Sequence, residues 1–244
     1  MKKKGILFRL IKKIVYSFYK KTEICGIENL PDEPCVIVSN HAQVHGPIIS
    51  ELFFSKNCYI WTTGEMLKLK QIPSYAYNDF WYEKPKATKW FYKILSYLIA
   101  PLGCYVFNQA NTIGVYKDIR IANTLKNSVL KLKSGYNLII FPESRVKHNE
   151  IVNDFQKNFV DVARVYYKAT KKQIKFVPSY VAPNLKKVVI GRPIEFNSNQ
   201  DYSLEKDRIV NALKSAITDI AKSLPKHTVI PYENVSKRKY LKSK

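Results

Sequence analysis

The chain has 244 residues, 41 of them basic and 19 acidic, for a formal net charge of +22. With 46% hydrophobic and 25% charged residues, its composition excludes a disordered or collagen-like polymer. Twelve prolines against eight glycines argue against Gly-rich linkers, and the length suits one large domain or two small ones.

The chain opens with KKKGILFRLIKKIVYSFYK. This has the positive start of a signal peptide, but Arg9, Lys12 and Lys13 interrupt the apolar core and no small-residue cleavage site follows. Ile6, Leu7, Leu10, Ile11, Ile14, Val15 and Phe18 recur at spacings of three and four, which predicts an amphipathic helix. Residues 1–21 hold eight basic residues and no acid, and residues 236–244 hold five more, so thirteen of the 22 excess charges are terminal. Such a helix suits an anionic membrane surface, with its stripe in the acyl boundary and its lysines on head groups. Packing on the protein's own core is the alternative. Nucleic acid would also suit the charge, but no nucleic-acid-binding motif accompanies it, so that partner is not expected.

CVIVSN (35–40) reads as a buried strand and CYIWTT (58–63) as a second. Residues 65–100 are aromatic-rich, helical with loops at Pro73 and Pro85. No run reaches the ~18 uninterrupted apolar residues of a membrane span. The nearest, WFYKILSYLIAPLGCYVF (90–107), contains Lys93 and Pro101 and is read as a buried helix followed by a strand at 105–108, with an interfacial hairpin as the alternative. A helix over about 112–133 stops at Gly135, and NLIIF (137–141) is a strand ended by Pro142. Phe155, Phe159, Val162, Ala163 and Tyr166 form a helical stripe. IKFVPSYV (174–181) and KVVIG (187–191) are strands. Ser203 is the expected N-cap of a last helix carrying Val210, Leu213, Ile217, Ile220 and Leu224, closed by Pro225.

This order predicts an α/β fold, a mostly parallel twisted sheet flanked by helices. The expected organisation is a basic amphipathic N-terminal helix (1–22), one α/β domain (23–232) and a basic C-terminal tail (233–244). Four scattered cysteines without a C-x-x-C pair point to reduced thiols and a cytoplasmic setting.

Chemistry-bearing residues gather at strand ends, where α/β folds form their binding crevice. Asn40-His41 follows CVIVSN, and a neutral imidazole there can take a proton from a hydroxyl. FPESR (141–145) ends another strand with a carboxylate and a guanidinium. FVPSY (176–180) and IGRPIEF (190–196) mark two more. His41 and His45 form an H-x-x-x-H pair, but without the zincin glutamate or a third ligand no metal is expected.

The ordered set NH, FPE, VP and GRPI resembles the lysophospholipid (glycerolphosphate) acyltransferases, the superfamily of 1-acylglycerol-3-phosphate acyltransferase. The likeness extends through LKSGYNLIIFPE and DFQKNFVDVAR over nearly the whole chain. It implies acyl transfer from acyl-CoA or acyl-carrier protein to a hydroxyl of a lysophospholipid-like acceptor, with no cofactor beyond that co-substrate. His41 matches the family's general base, Glu143 and Arg145 match the block that positions the acceptor, and Pro178 falls in the acyl-donor block. Asn40 and Gln109 join Arg145 and Pro178 as substrate-binding candidates. A peripheral enzyme of phospholipid biosynthesis, at the cytoplasmic face of the cell membrane, is the expectation. A relative that binds lipid without turnover is the alternative.

The sequence also departs from the family pattern. Gly46 stands where the family has an aspartate that orients the histidine, a loss that costs on the order of 10⁴ in rate in triad enzymes. Asn108-Gln109 stands where the second block ends in a phosphate-gripping arginine, and Ser144-Arg145 replaces Gly-Thr-Arg. Glu143 or Glu65 could orient His41, His45 could share its work, or His148 could enter the site.

Overall fold

The computed structural model describes residues 4–54, 56–81 and 84–243. Lys2, Lys3 and Lys244, counted among the terminal charges, lie outside these residues. Helix α1 (Ile6–Tyr19) leads into the short strand β1 (Glu23–Cys25), then β2 (Val36–Ser39), α2 (His45–Phe53) and β3 (Cys58–Thr63). The short α3 (Ile72–Ala76) and the long α4 (Lys89–Gln109) precede β4 (Thr112–Val115), α5 (Ile121–Lys133) and β5 (Asn137–Ile140). A hairpin of β6 (Glu143–Lys147) and β7 (Asn153–Phe155) precedes α6 (Asp161–Thr170) and β8 (Lys175–Ala182). The chain ends with β9 (Lys187–Ile190), β10 (Ile194–Glu195), α7 (Tyr202–Ser223), β11 (Thr228–Val229) and β12 (Leu241–Lys242).

The main sheet runs β1-β9-β8-β2-β5-β3-β4, with β10 beside β8 where β9 leaves off. From β8 to β4 every neighbouring pair is parallel, whereas β9 and β10 run antiparallel to β8. Parallel strands are buried on both faces, which is why β2 and β5 read as unbroken apolar runs. Val36, Val38, Leu138, Ile140 and Phe176 face one way and pack on Val129, Leu132, Val162, Ala163, Leu213 and Ile217 of α5, α6 and α7. Ile37, Ile139, Val177 and Ile190 face the other way, with Phe54 against them.

Pairing Val38 with Ile140 sets the carboxyl ends of β2 and β5 side by side. The chain reaches β3 from β2 by passing over the place that β5 later fills, and β8 takes the other flank of β2. The crevice therefore forms where connections leave in both directions.

Among the expectations corrected, the helix read over about 112–133 begins only at Ile121, its first residues forming β4. Residues 105–108 are the last turn of α4, not a strand, and the third strand is β4, which pairs Ile60 with Thr112. Tyr105, Val106 and Phe107 have strand-like side chains, but Cys104 and Phe107 pack with Met66, Ile72 and Ala100, and that contact keeps the segment helical. Nor is α4 a buried helix, since Trp90, Ile94, Tyr97, Leu98 and Leu102 are exposed. The N-cap of α7 is Asp201, whose carboxylate accepts the Ser203 and Leu204 N–H groups at 2.9 and 3.1 Å, rather than Ser203.

Candidate active site

The site begins where β2 stops. Asn40 is buried, and its amide replaces a ladder step to β8. Its Oδ1 accepts the Val181 N–H at 2.7 Å and its Nδ2 donates to the Val181 carbonyl at 3.1 Å. The chain then turns sharply through Ala42 and Gln43, both in the left-handed region at φ 45° and 54°. Each such non-glycine residue costs about 1–3 kcal/mol and persists only where the surroundings enforce it.

That turn points the Gln43 carbonyl back at the His41 ring, where it accepts from Nδ1. A hydrogen bond of this kind selects the tautomer: the proton sits on Nδ1, and Nε2 keeps its lone pair. Among the described residues none hydrogen-bonds Nε2. The rings of Phe141 and Tyr232 flank the imidazole edge-on, each with its centroid 5.3 Å away. Burial pushes the His41 pKa below its ordinary 6.5, and the bond to Gln43 offsets this only in part. The ring is neutral at pH 7.

Glu143, only 3% exposed, reaches the same point from the start of β6. Its Oε2 accepts the His41 main-chain N–H at 2.5 Å and its Oε1 accepts the Asn153 N–H at 2.9 Å. Burial raises its pKa from 4.5 to about 7, although both N–H bonds favour the charged form. Glu143 thus braces the His41 backbone and leaves the ring alone. Glu65 accepts from the Thr63 hydroxyl at 2.6 Å. His148 lies exposed in the β6–β7 turn. Of the replacements considered for the missing aspartate, none hydrogen-bonds the His41 ring among the described residues; a main-chain carbonyl does.

Gly46 shows why no side chain fits at the aspartate position. Its N–H donates to the His41 carbonyl at 3.0 Å. A Cβ there would stand 2.6 Å from that oxygen and 2.8 Å from Phe141 Cε1. His45 turns away to α1, its Nδ1 meeting the Tyr19 hydroxyl at 2.7 Å. Burial and, to a smaller extent, the charge of Lys237 lower its pKa.

The structure does not bring Gln109 to the site. It precedes β4, at the amino end of that strand, while His41 follows the carboxyl end of β2. Gln109 Oε1 accepts the Gly5 N–H at 2.9 Å, which ties α4 to the start of α1. The misplaced strand explains the error: the residues after β4, Lys117 and Arg120 among them, share the end of the sheet with His41. Arg120 is held by Asp118 at 2.6 Å and stacks on Tyr116 at 4.1 Å. Arg145 is exposed beside Asp79, 3.8 Å away.

Pro178 is interior to β8, opposite Val38. Its carbonyl accepts the Gly191 N–H at 2.8 Å.

Sequence reasoning missed Gln43, Asp79 and Tyr232. Asp79, whose pKa burial raises, is bonded by Asn234 Nδ2 at 3.3 Å. An open depression of about 710 Å³, lined by Gln173, Asn197 and Arg208, lies at the amino end of β8, away from His41.

Comparison with known proteins fits this layout. A family model described as Acyltransferase matches residues 21–182, about two-thirds of the chain. No curated protein sequence matches. Among solved structures, the chain is similar to the 1-acyl-sn-glycerophosphate (LPA) acyltransferase PlsC from Thermotoga maritima. The TM-score is 0.50 at 15% identity, covering 92% of this chain and 85% of that one.

Proposed function

Because the chain belongs to the Acyltransferase family, we propose that it moves a fatty acyl group from an acyl thioester to a hydroxyl of a lysophospholipid-like acceptor. The donor is acyl-CoA or acyl-carrier protein, and His41 is the general base. One observation carries this reading: Nδ1 of His41 is committed to the Gln43 carbonyl, so that Nε2 can receive a proton. Nε2 takes it as the acceptor oxygen attacks the thioester carbon. The tetrahedral intermediate then collapses, the C–S bond breaks, and the leaving thiolate takes the proton back from the imidazolium.

Glu143 serves by holding the His41 main chain. We assign the acceptor's anionic group to Arg145 at the rim, with Lys117 and Arg120 beyond β4 as further cations. Asn40, Gln109, Pro178 and His45 act as structural residues in this reading, since each is engaged with main chain or with a neighbouring helix.

The reaction belongs at an anionic membrane surface, on the cytoplasmic side. On α1, Phe8 is buried against the body, while Ile6 and Phe18 are 78% and 80% exposed, with exposed Arg9 and Lys13 among them and Lys20 and Lys21 just past its end. On α4, Tyr97 and Leu98 are 70% and 71% exposed. By length and composition α4 could cross a membrane, but it packs along α3 through Ala100 and Cys104, which favours lying on the surface. Each surface lysine adds about 1 kcal/mol near an acidic leaflet.

The enclosure of His41 between Phe141 and Tyr232 favours one other reading, lipid binding without turnover. Purified protein given long-chain acyl-CoA and a panel of lysolipids separates the two. Free CoA should appear, and His41→Ala should slow its release by about 10²–10⁴-fold. Equal rates for the two proteins would reject the base.

A further inference from the structure

After α7 the chain returns to the site. Strands β11 and β12 pair Thr228 with Lys242 and Val229 with Leu241, closing residues 230–240 into a strap. The base of the strap is anchored in the core. His227 N–H donates to Ser243 Oγ at 3.0 Å, Ser243 N–H donates to the His227 carbonyl at 2.8 Å, and His227 Nε2 meets the Tyr180 hydroxyl of β8 at 2.9 Å.

From that base the strap takes hold of Gln43. The Pro231 carbonyl accepts the Gln43 N–H at 3.1 Å, the Glu233 carbonyl accepts from Gln43 Nε2 at 2.9 Å, and the Tyr240 hydroxyl donates to Gln43 Oε1 at 3.0 Å. The one polar group of Gln43 left over is its carbonyl, and that is the group bonded to His41 Nδ1. Tyr232, from the same strap, lies edge-on against the His41 ring. Ala42 and Gln43 occupy a backbone conformation that side-chain-bearing residues avoid. Without the strap that turn has reason to relax, and its carbonyl would leave the ring.

We propose that the 230–240 strap is a positioning element of the His41 site: it locks Gln43 so that a main-chain carbonyl does the orienting work of the carboxylate that Gly46 lacks. The proposal rests on reading His41 as the base. A carbonyl fixes the tautomer and the direction of the ring, but carries only a partial charge to stabilise the imidazolium.

Histidine-selective ¹⁵N labelling tests this, with His41→Ala assigning the signal. Wild type at neutral pH should show His41 protonated on Nδ1. Gln43→Ala, and more mildly Tyr240→Phe, which removes a single hydroxyl, should keep a cooperative thermal transition yet shift His41 to a mixture of tautomers. With acyl-CoA as donor, Gln43→Ala should lower kcat by about ten-fold or more while KM changes by less than about two-fold. An unchanged Nδ1–H tautomer in both variants would overturn the proposal. The two failures are distinguishable: full activity in His41→Ala sinks the base assignment, whereas the tautomer reports on the strap whether or not the chain turns over.

Discussion

A side chain at position 46 would have to displace the His41 carbonyl or the Phe141 ring, 2.6 and 2.8 Å from where its Cβ must stand. Gly46→Asp, which restores the family residue, is therefore expected to destabilise the fold by about 1–3 kcal/mol and to lower activity rather than raise it. Urea denaturation and CoA release check the two halves, and a more active variant would contradict the account. Glu143 gives a test by pH. Its pKa is raised from 4.5 to about 7, so the folded form holds a proton that the unfolded chain releases across that window. Its contribution to stability is full below 4.5 and is lost as pH rises through about 7. His41, pushed below 6.5, acts in the opposite sense and loses stability as pH falls. Glu143→Gln should abolish the fall in unfolding midpoint across the glutamate's window; the same fall in the variant would contradict the assignment. His41 and Glu143 were legible as polar residues ending apolar runs. Gln43 was not, because it acts through a main-chain carbonyl that every residue possesses.

At the scale of elements, the sheet was legible wherever burial on both faces leaves an unbroken apolar run, as in β2, β5 and β8. It was misread at α4 and β4. The triplet Tyr105-Val106-Phe107 has the side chains of a strand, and only its packing with Met66 and Ile72 makes it helical. That single shift moved the candidate phosphate contact from the residues after β4 to Gln109, at the wrong end of the sheet. The same contact leaves the other face of α4 open, joined to α1 through Gly5 and Gln109. If both helices rest on lipid, Leu98→Glu should weaken flotation with anionic vesicles as much as Leu10→Glu does, with little effect on either variant in neutral vesicles. Loss confined to the α1 variant would remove α4 from the membrane face.

For the molecule as a whole, basic and exposed apolar residues share α1, while the chemistry gathers at the carboxyl ends of β2 and β5. The family match ends at residue 182, yet Tyr232, which flanks His41, and the groups that hold Gln43 come from residues 231–240. The strap lay beyond the legible part of the sequence: its register against Gln43 spans about 190 residues of chain and carries no local periodicity. What unites these parts is an imidazole whose pKa burial lowers, with Nδ1 tied and Nε2 unbonded among the described residues. The most direct measurement is the pH dependence of kcat/KM for acyl transfer, set beside the NMR titration of His41 in the same protein. The acid limb should turn at the titrated pKa of His41, below 6.5. A limb that ignores the His41 titration, or survives unchanged in the residual activity of His41→Ala, would contradict the account.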